Sequence, residues 1–81
     1  MYIVYVLESI KDRKLYIGCT ANLEKRLNLH NSGKVRSTKS RTPLKLVYSE
    51  KFIEKYEAFF AERFYKTANG KSILLRKISS S

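Results

Sequence analysis

Two short apolar segments near the N-terminus, Tyr2–Leu7 (YIVYVL) and Leu15–Gly18 (LYIG), decide the fold. β-Branched and aromatic residues dominate both segments, and the charged linker Ile10–Lys14 separates them. Residues of this kind favour extended strands, and a short polar connection joins antiparallel neighbours. The N-terminal part of the chain therefore predicts a β-hairpin with its loop in solvent.

Downstream of the hairpin, the pattern predicts a helix, a loop and a third strand. The helix spans Leu23–Asn31, and the preceding segment Thr20-Ala21-Asn22 supplies a candidate N-terminal cap. Residues 33–43 show no apolar period and are rich in turn-forming residues, which predicts an exposed loop closed by Pro43. The apolar positions of Leu44–Phe52 alternate well enough to predict a strand.

The last third of the chain predicts two helices. The first runs from Ile53 to about Thr67, Gly70 interrupts it, and Ser72–Ile78 forms a short final helix before a frayed tail at residues 79–81. Apolar side chains recur at helical spacing in both, namely Tyr56, Phe59, Phe60, Phe64 and Tyr65 in the first and the inward-facing Ile73, Leu74 and Ile78 in the second.

This element order, ββαβα(α), predicts the fold class α/β (α+β). We expect one small domain over residues 1–78, in which a three-stranded mixed or antiparallel sheet is flanked by helices. A domain of 81 residues buries only about 60% of the surface that its extended chain exposes, so an enclosed cofactor cavity is not expected.

The charge of the chain points to a polyanionic partner. Seventeen Lys and Arg residues stand against seven Asp and Glu residues, which gives a formal charge of +10. Residues 21–45 carry seven of the bases and only one acid, Glu24. A concentrated positive surface attracts nucleic acid because each neutralised phosphate releases condensed counterions. A basic surface that is merely solvated is the alternative.

Composition also limits the compartment and the metal chemistry. No window approaches the ~18 consecutive apolar residues that a membrane span needs. A lone cysteine, Cys19, is typical of a reducing compartment and excludes a disulfide framework and a thiolate zinc site. We therefore expect a cytoplasmic protein without membrane contact, in which any metal is held by oxygen.

Arg26 and His30 form the most informative polar pair. Their i, i+4 spacing places both side chains on one face of the predicted helix, where two cationic groups repel each other unless an anion lies between them. The alternative is a solvated Arg26 and a His30 that complements the helix dipole. Tyr5 and Tyr16 lie in the two hairpin strands, and their pattern fits core packing as well as a ligand site beside Gly18.

Five motifs follow one another along the chain. They are Ile3-Val4-Tyr5, Tyr16-Ile17-Gly18, Asn22-Leu23-Glu24-Lys25-Arg26-Leu27 with His30, Asn31 and Gly33, Thr38-x-x-Arg41-x-Pro43 with Leu46-Val47-Tyr48, and Glu57-Ala58-x-x-x-Glu62. In this order and spacing the sequence resembles the GIY-YIG nuclease domain, in its small stand-alone, UPF0213-like form. The resemblance extends from Tyr2 to about Leu75.

The resemblance implies an endonuclease that hydrolyses DNA phosphodiester bonds with one divalent cation, Mg²⁺ or Mn²⁺. Glu62 would be the sole protein ligand, which leaves the other octahedral positions to water and phosphate oxygens. By its own pattern, Glu62 is more typical of a solvated i, i+4 partner of Lys66.

The same resemblance implies the catalytic residues. Tyr5 or Tyr16 would accept the proton of the attacking water while the other orients water or phosphate. Since a free phenol has a pKa of about 10, a cation such as Lys25, Arg26 or the metal must stabilise its phenolate. Arg26 would bind the scissile phosphate, and His30 would bond a phosphate oxygen or relay a proton.

The basic loop and the preceding helix are expected to grip the nucleic-acid backbone. The expected contacts are Lys25, Lys34, Arg36, Thr38, Lys39 and Arg41. No long element is available to enter a major groove, which predicts low sequence specificity and cutting at branches, flaps or single strands. The expected partner is DNA, with RNA as the alternative, and a separate DNA-targeting or scaffold protein could supply specificity.

One family feature is missing, because many members carry an Asn about a dozen residues after the metal ligand. Ile73-Leu74-Leu75 occupies that region here, and Asn69 lies too early in the chain to replace it. Weaker support of the phosphate or the metal is expected. Two other functions stay open, a nucleic-acid-binding module that does not cut and a domain whose basic face meets an acidic protein.

Overall fold

The first strand is the centre of the sheet. In the computed structural model, which describes residues 1–80, β1 (Tyr2–Ser9) lies between β2 (Leu15–Thr20) and β3 (Leu44–Phe52), and both neighbours are antiparallel to it. The predicted three-stranded sheet is therefore confirmed, in its antiparallel form. A bulge between Val6 and Leu7 shifts the pairing of β1 with β3.

Helices cover both faces of this sheet. Val4 and Val6 point to one side, where they pack with Ala58 of α2 (Lys55–Tyr65) and Leu74 of α3 (Ala68–Ser80). Tyr5 and Leu7 point to the other side, where Leu23 and Leu27 of α1 (Leu23–Asn31) pack against them. Because successive strand residues face opposite sides, a strand segment covered on both faces is apolar without interruption, as Tyr2–Leu7 of β1 is.

Asparagine side chains fix both ends of α1. The Asn22 side chain accepts a hydrogen bond from the Lys25 amide at 3.1 Å and so satisfies one of the free donors of the first turn, as predicted. At the other end, Asn31 donates to the Leu44 carbonyl at 3.2 Å and accepts from the Leu44 amide at 2.8 Å. The start of β3 is thereby tied to the end of α1.

A polar cluster holds the two C-terminal helices against β3. Tyr65 donates to Glu50 at 2.8 Å, and Lys77 donates to Tyr65 at 2.7 Å and to Glu50 at 3.1 Å. Burial opposes ionisation of Glu50, but hydrogen bonds from Tyr65, Lys77 and Tyr48 outweigh it and keep the pKa of Glu50 below its ordinary value. The cluster therefore fixes the position of α2 relative to the sheet.

The helix break in the last third differs from the prediction. It falls at Lys66 and Thr67, and Gly70 is instead in the first turn of α3, where an added Cβ would lie 1.7 Å from the Phe64 carbonyl oxygen. Helix α3 therefore begins at Ala68 and not at Ser72. It also includes residues 79 and 80, which were expected to fray. Ser81 lies outside the described residues.

The structure shows which residues of the two apolar stripes face the core. Among the stripe residues of α2 only Tyr65 is buried, because the small side chains of Ala58 and Ala61 face the sheet instead. In α3, Leu74 is buried and Ile78 packs against the core as expected, but Ile73 is 38% exposed.

Candidate active site

A cleft of about 540 Å³ lies beside the edge strand β2. Its walls come from both β1 and β2, from α1 and the following loop, and from the end of α2. All five residues that the sequence predicts for catalysis and metal binding line it, namely Tyr5, Tyr16, Arg26, His30 and Glu62. Side chains that are up to 57 positions apart thus meet around one space.

The position of Tyr5 depends on a glycine in the neighbouring strand. Tyr5 pairs with Gly18 across the β1–β2 ladder, and its ring lies over the glycine. A Cβ at position 18 would come within 2.4 Å of the Tyr5 hydroxyl oxygen, far below van der Waals contact. Gly18 is therefore required for the close approach of the phenol to the backbone.

Tyr5 connects the two basic residues of α1. The Arg26 Nε donates a hydrogen bond to the Tyr5 hydroxyl oxygen at 3.3 Å, and the same oxygen lies 3.2 Å from His30 Nε2. The phenol thus occupies the space between the guanidinium of Arg26 and the imidazole of His30. The Tyr5 and His30 rings meet edge to face, with centroids 5.9 Å apart.

His30 is held on both sides of its ring. Its Nδ1 lies 2.8 Å from the Thr38 hydroxyl, and both residues are buried, at 5% and 1% exposure. Burial, and then the positive charge of Arg26, lower the pKa of His30 from its ordinary value of 6.5. The imidazole is therefore neutral at physiological pH, with one nitrogen available to accept a proton.

Thr38 lies in the interior of the site and not on an exposed surface. It was expected on an exposed loop in contact with nucleic acid, but it is 1% exposed and bonded to His30. The loop folds inward at this point, and Val35 is half-buried as well. No signal in the sequence links Thr38 to His30, because the seven residues between them form a helix end and a turn.

The other expected contacts are spread around the molecule. Lys25 and Lys34 line a separate groove along α1, and Arg36 and Lys39 are exposed outside the cleft. Arg41 forms an ion pair with Asp12 of the β1–β2 loop, and its carbonyl accepts a hydrogen bond from Ser9 at 2.7 Å. Arg41 therefore anchors the basic loop to the hairpin.

Two cations in the cleft were not assigned to the site from the sequence, Lys66 and Lys71. Lys66 was predicted only as a solvated partner of Glu62. It does donate to Glu62 at 2.8 Å, but both groups face the cleft. The side chain of Glu62 is 19% exposed and that of Lys66 is 53% exposed. Such an open ion pair contributes little stability, so a competing cation can displace the lysine at low cost.

The donor set of the cleft fits a hard divalent cation that keeps most of its water. Glu62 is the one carboxylate among the described residues that line the cleft. Residues 1–80 contain no group of three or more Asp, Glu, His or Cys side chains that could surround a metal. Mg²⁺ binds typically through one or two carboxylates plus water and substrate phosphates, which matches a single ligand in an open cleft.

None of the described helices is long and apolar enough to cross a membrane.

Comparison with known proteins places the chain in a family. Residues 1–77 match the family model of the GIY-YIG catalytic domain. A UPF0213 protein of Streptococcus agalactiae is 48% identical over 64 residues, which cover 78% of this chain and 72% of that protein. A UPF0213 protein of Bacillus licheniformis is 48% identical over 69 residues, 84% of this chain and 70% of that protein.

A solved structure is similar as well. The solution NMR structure of the UPF0213 protein BH0048 from Bacillus halodurans matches with a TM-score of 0.59 and 35% identity, over 94% of this chain and 84% of that one. The family model, the relatives and the fold agree, and the chain belongs to the GIY-YIG family, a superfamily of nucleases.

Proposed function

We propose that the protein is an endonuclease that depends on Mg²⁺ or Mn²⁺ and hydrolyses DNA phosphodiester bonds. The observation that carries the proposal is the convergence of two phenols, a guanidinium, an imidazole and a carboxylate on one cleft. Membership of a nuclease superfamily supports it. A cytoplasmic location is part of the proposal, and the free thiol of Cys19 favours it.

Tyr5 is the proton acceptor in this proposal. Arg26 donates a hydrogen bond to its oxygen at 3.3 Å. As the phenol oxygen takes a proton from the attacking water, its own proton passes to His30 Nε2, which lies 3.2 Å away. Thr38 accepts from Nδ1–H and so keeps Nε2 free for that proton.

Arg26 and Tyr16 complete the arrangement around the phosphate. Only the Nε–H of Arg26 is used by Tyr5, which leaves the four terminal N–H groups of an exposed guanidinium for phosphate oxygens. Within residues 1–80 the Tyr16 hydroxyl has no protein hydrogen-bond partner, so it is available to orient water or phosphate.

Glu62 would hold the metal, with water and phosphate in the remaining positions. When bound, the ion would neutralise negative charge that develops on the phosphate. Lys66, released from Glu62, and Lys71 would then contact the nucleic-acid backbone from the same side of the cleft.

The test is a nicking assay on supercoiled plasmid and on branched DNA, with Mn²⁺, Mg²⁺ or EDTA. We expect cleavage only with metal, and losses of about 100-fold or more for Glu62→Ala and Arg26→Ala. Glu57→Ala is the matched control, because Glu57 is an exposed glutamate in the first turn of the same helix and lies outside the cleft.

The alternative is a module of the same fold that binds nucleic acid without cutting it. The charge of +10 favours some polyanion partner in either case. Salt-sensitive binding to DNA without cleavage in any metal would support the module and refute the nuclease. Cleavage that survives both substitutions would refute the site assignment instead.

A further inference from the structure

One face of α2 exposes aromatic rings to solvent. Tyr56, Phe59 and Phe60 are 73%, 50% and 63% exposed, and together with Arg63 they line a shallow pocket of about 230 Å³. The core side of the same helix is formed by Ala58, Ala61 and Tyr65, so no other part of the described chain covers these rings. Three neighbouring exposed rings form the kind of apolar patch that marks an interaction site.

Cations are interleaved with the rings. The Lys55 Nζ lies 5.5 Å from the centroid of the Phe59 ring, and Arg63 follows Phe59 at i, i+4. Tyr56 and Phe60 are also i, i+4 neighbours, with ring centroids 5.4 Å apart and planes tilted by 47°. We call Lys55, Tyr56, Phe59, Phe60 and Arg63 the α2 platform.

The platform begins beside the candidate metal ligand. Phe59 precedes Glu62 by three positions, which places the two side chains about 60° apart around the helix and within about 6 Å of each other at Cβ. The platform is therefore adjacent to the part of the cleft that Glu62 lines.

We propose that the α2 platform binds unpaired bases of the nucleic acid whose backbone enters the cleft, so that the substrate class is single-stranded or flapped nucleic acid. The proposal rests on the proposed function for the orientation of the strand. Bases stack on aromatic rings irrespective of sequence, and interleaved cations neutralise the phosphates between them. Paired bases in a duplex are stacked on each other and cannot use the rings.

Charge decides between this occupant and a second copy of the chain. In a two-fold symmetric dimer the same patch meets itself, so Lys55 and Arg63 would approach the same cations of the partner copy. A nucleic-acid strand supplies the opposite charge as well as the π faces. The platform is therefore complementary to a polyanion with exposed bases.

The experiment measures binding in EDTA, where no cleavage interferes. Fluorescence anisotropy would compare a labelled oligothymidine of about 20 nucleotides with a duplex of the same length. The test variant is Phe59→Leu/Phe60→Leu, which keeps apolar volume and charge but removes two rings. The matched control, Phe59→Tyr/Phe60→Tyr, keeps the rings. Far-UV circular dichroism would check that both variants are folded.

We expect the leucine variant to lose about tenfold or more in affinity for the single strand and less than about twofold for the duplex, with the tyrosine variant close to wild type. Equal losses for both ligands, or an unchanged affinity for the single strand, would overturn the proposal. A wild-type dimer that the leucine variant converts to monomers, without any change in nucleic-acid binding, would overturn it as well.

The outcomes for the platform and for the proposed function can be told apart. Metal-dependent cleavage that persists while the platform test fails would leave the proposed function intact. If the platform binds the single strand as expected but the protein does not cleave DNA in any metal, the platform proposal stands and the proposed function is refuted.

Discussion

Replacing Thr38 with valine removes one hydroxyl from the centre of the site and leaves its shape almost unchanged. The hydroxyl lies 2.8 Å from His30 Nδ1, and both residues are buried. In the valine variant that nitrogen has no partner within reach, and it is shielded from water. The Nδ1–H tautomer of His30 then loses its stabilisation.

The expected cost follows from burial. A buried polar group left unsatisfied destabilises a protein by about 1–3 kcal/mol. For a domain of this length, 1 kcal/mol corresponds to a change in Tm of about 4–8 °C, so Thr38→Val should lower Tm by roughly 5–20 °C. If Thr38 keeps His30 ready to accept the proton of Tyr5, cleavage should also fall by about tenfold or more.

Thr38→Ser is the matched control, because it keeps the hydroxyl and removes one buried methyl group at a cost of about 1 kcal/mol. Thermal denaturation would give the stabilities, and NMR of the imidazole nitrogens would report the tautomer of His30. Serine should preserve the tautomer and the cleavage rate, and valine should lose both. A valine variant with wild-type Tm, tautomer and cleavage would refute the reasoning.

Two further predictions concern the same network. Gly18→Ala should displace the Tyr5 ring, because a Cβ at position 18 would lie 2.4 Å from the Tyr5 hydroxyl oxygen. We expect the variant to fold and its cleavage rate to fall by about 100-fold. A wild-type rate would contradict the requirement for a close approach of Tyr5 to Gly18. Stability should fall as the pH drops below 6.5, since the unfolded chain protonates His30 there while the lowered pKa keeps the folded His30 neutral. Urea denaturation between about pH 7.5 and pH 5.5 measures this slope, at most about 1.4 kcal/mol per pH unit, and an equally steep slope in His30→Gln would refute its assignment to His30.

The local elements of this protein could be predicted because each depends on residues close together in sequence. The apolar run of β1, the asparagine cap of α1 and the alternation in β3 all appear in the structure at nearly the expected bounds. The i, i+4 spacing of Arg26 and His30 likewise fixed their common helix face in advance.

Other features depended on contacts between distant segments and were mispredicted. The rings on α2 were assigned to an apolar stripe, but helical spacing alone does not show which side of a helix faces the sheet. Two alanines occupy the core side instead, since small residues allow α2 to lie close to β1. Thr38 was expected on the surface, because its partner His30 is set by the path of the loop.

By itself, the sequence determined the element order, the basic charge, the family resemblance and the residue types available for chemistry, because these depend on composition and short-range spacing. Only the tertiary structure decided that the Tyr5 oxygen lies between Arg26 and His30, that Thr38 closes the network, and that Glu62 reaches the same cleft from the opposite layer. These side chains lie between 8 and 57 positions apart in the sequence, and their distances depend on how the sheet and helices pack against one another.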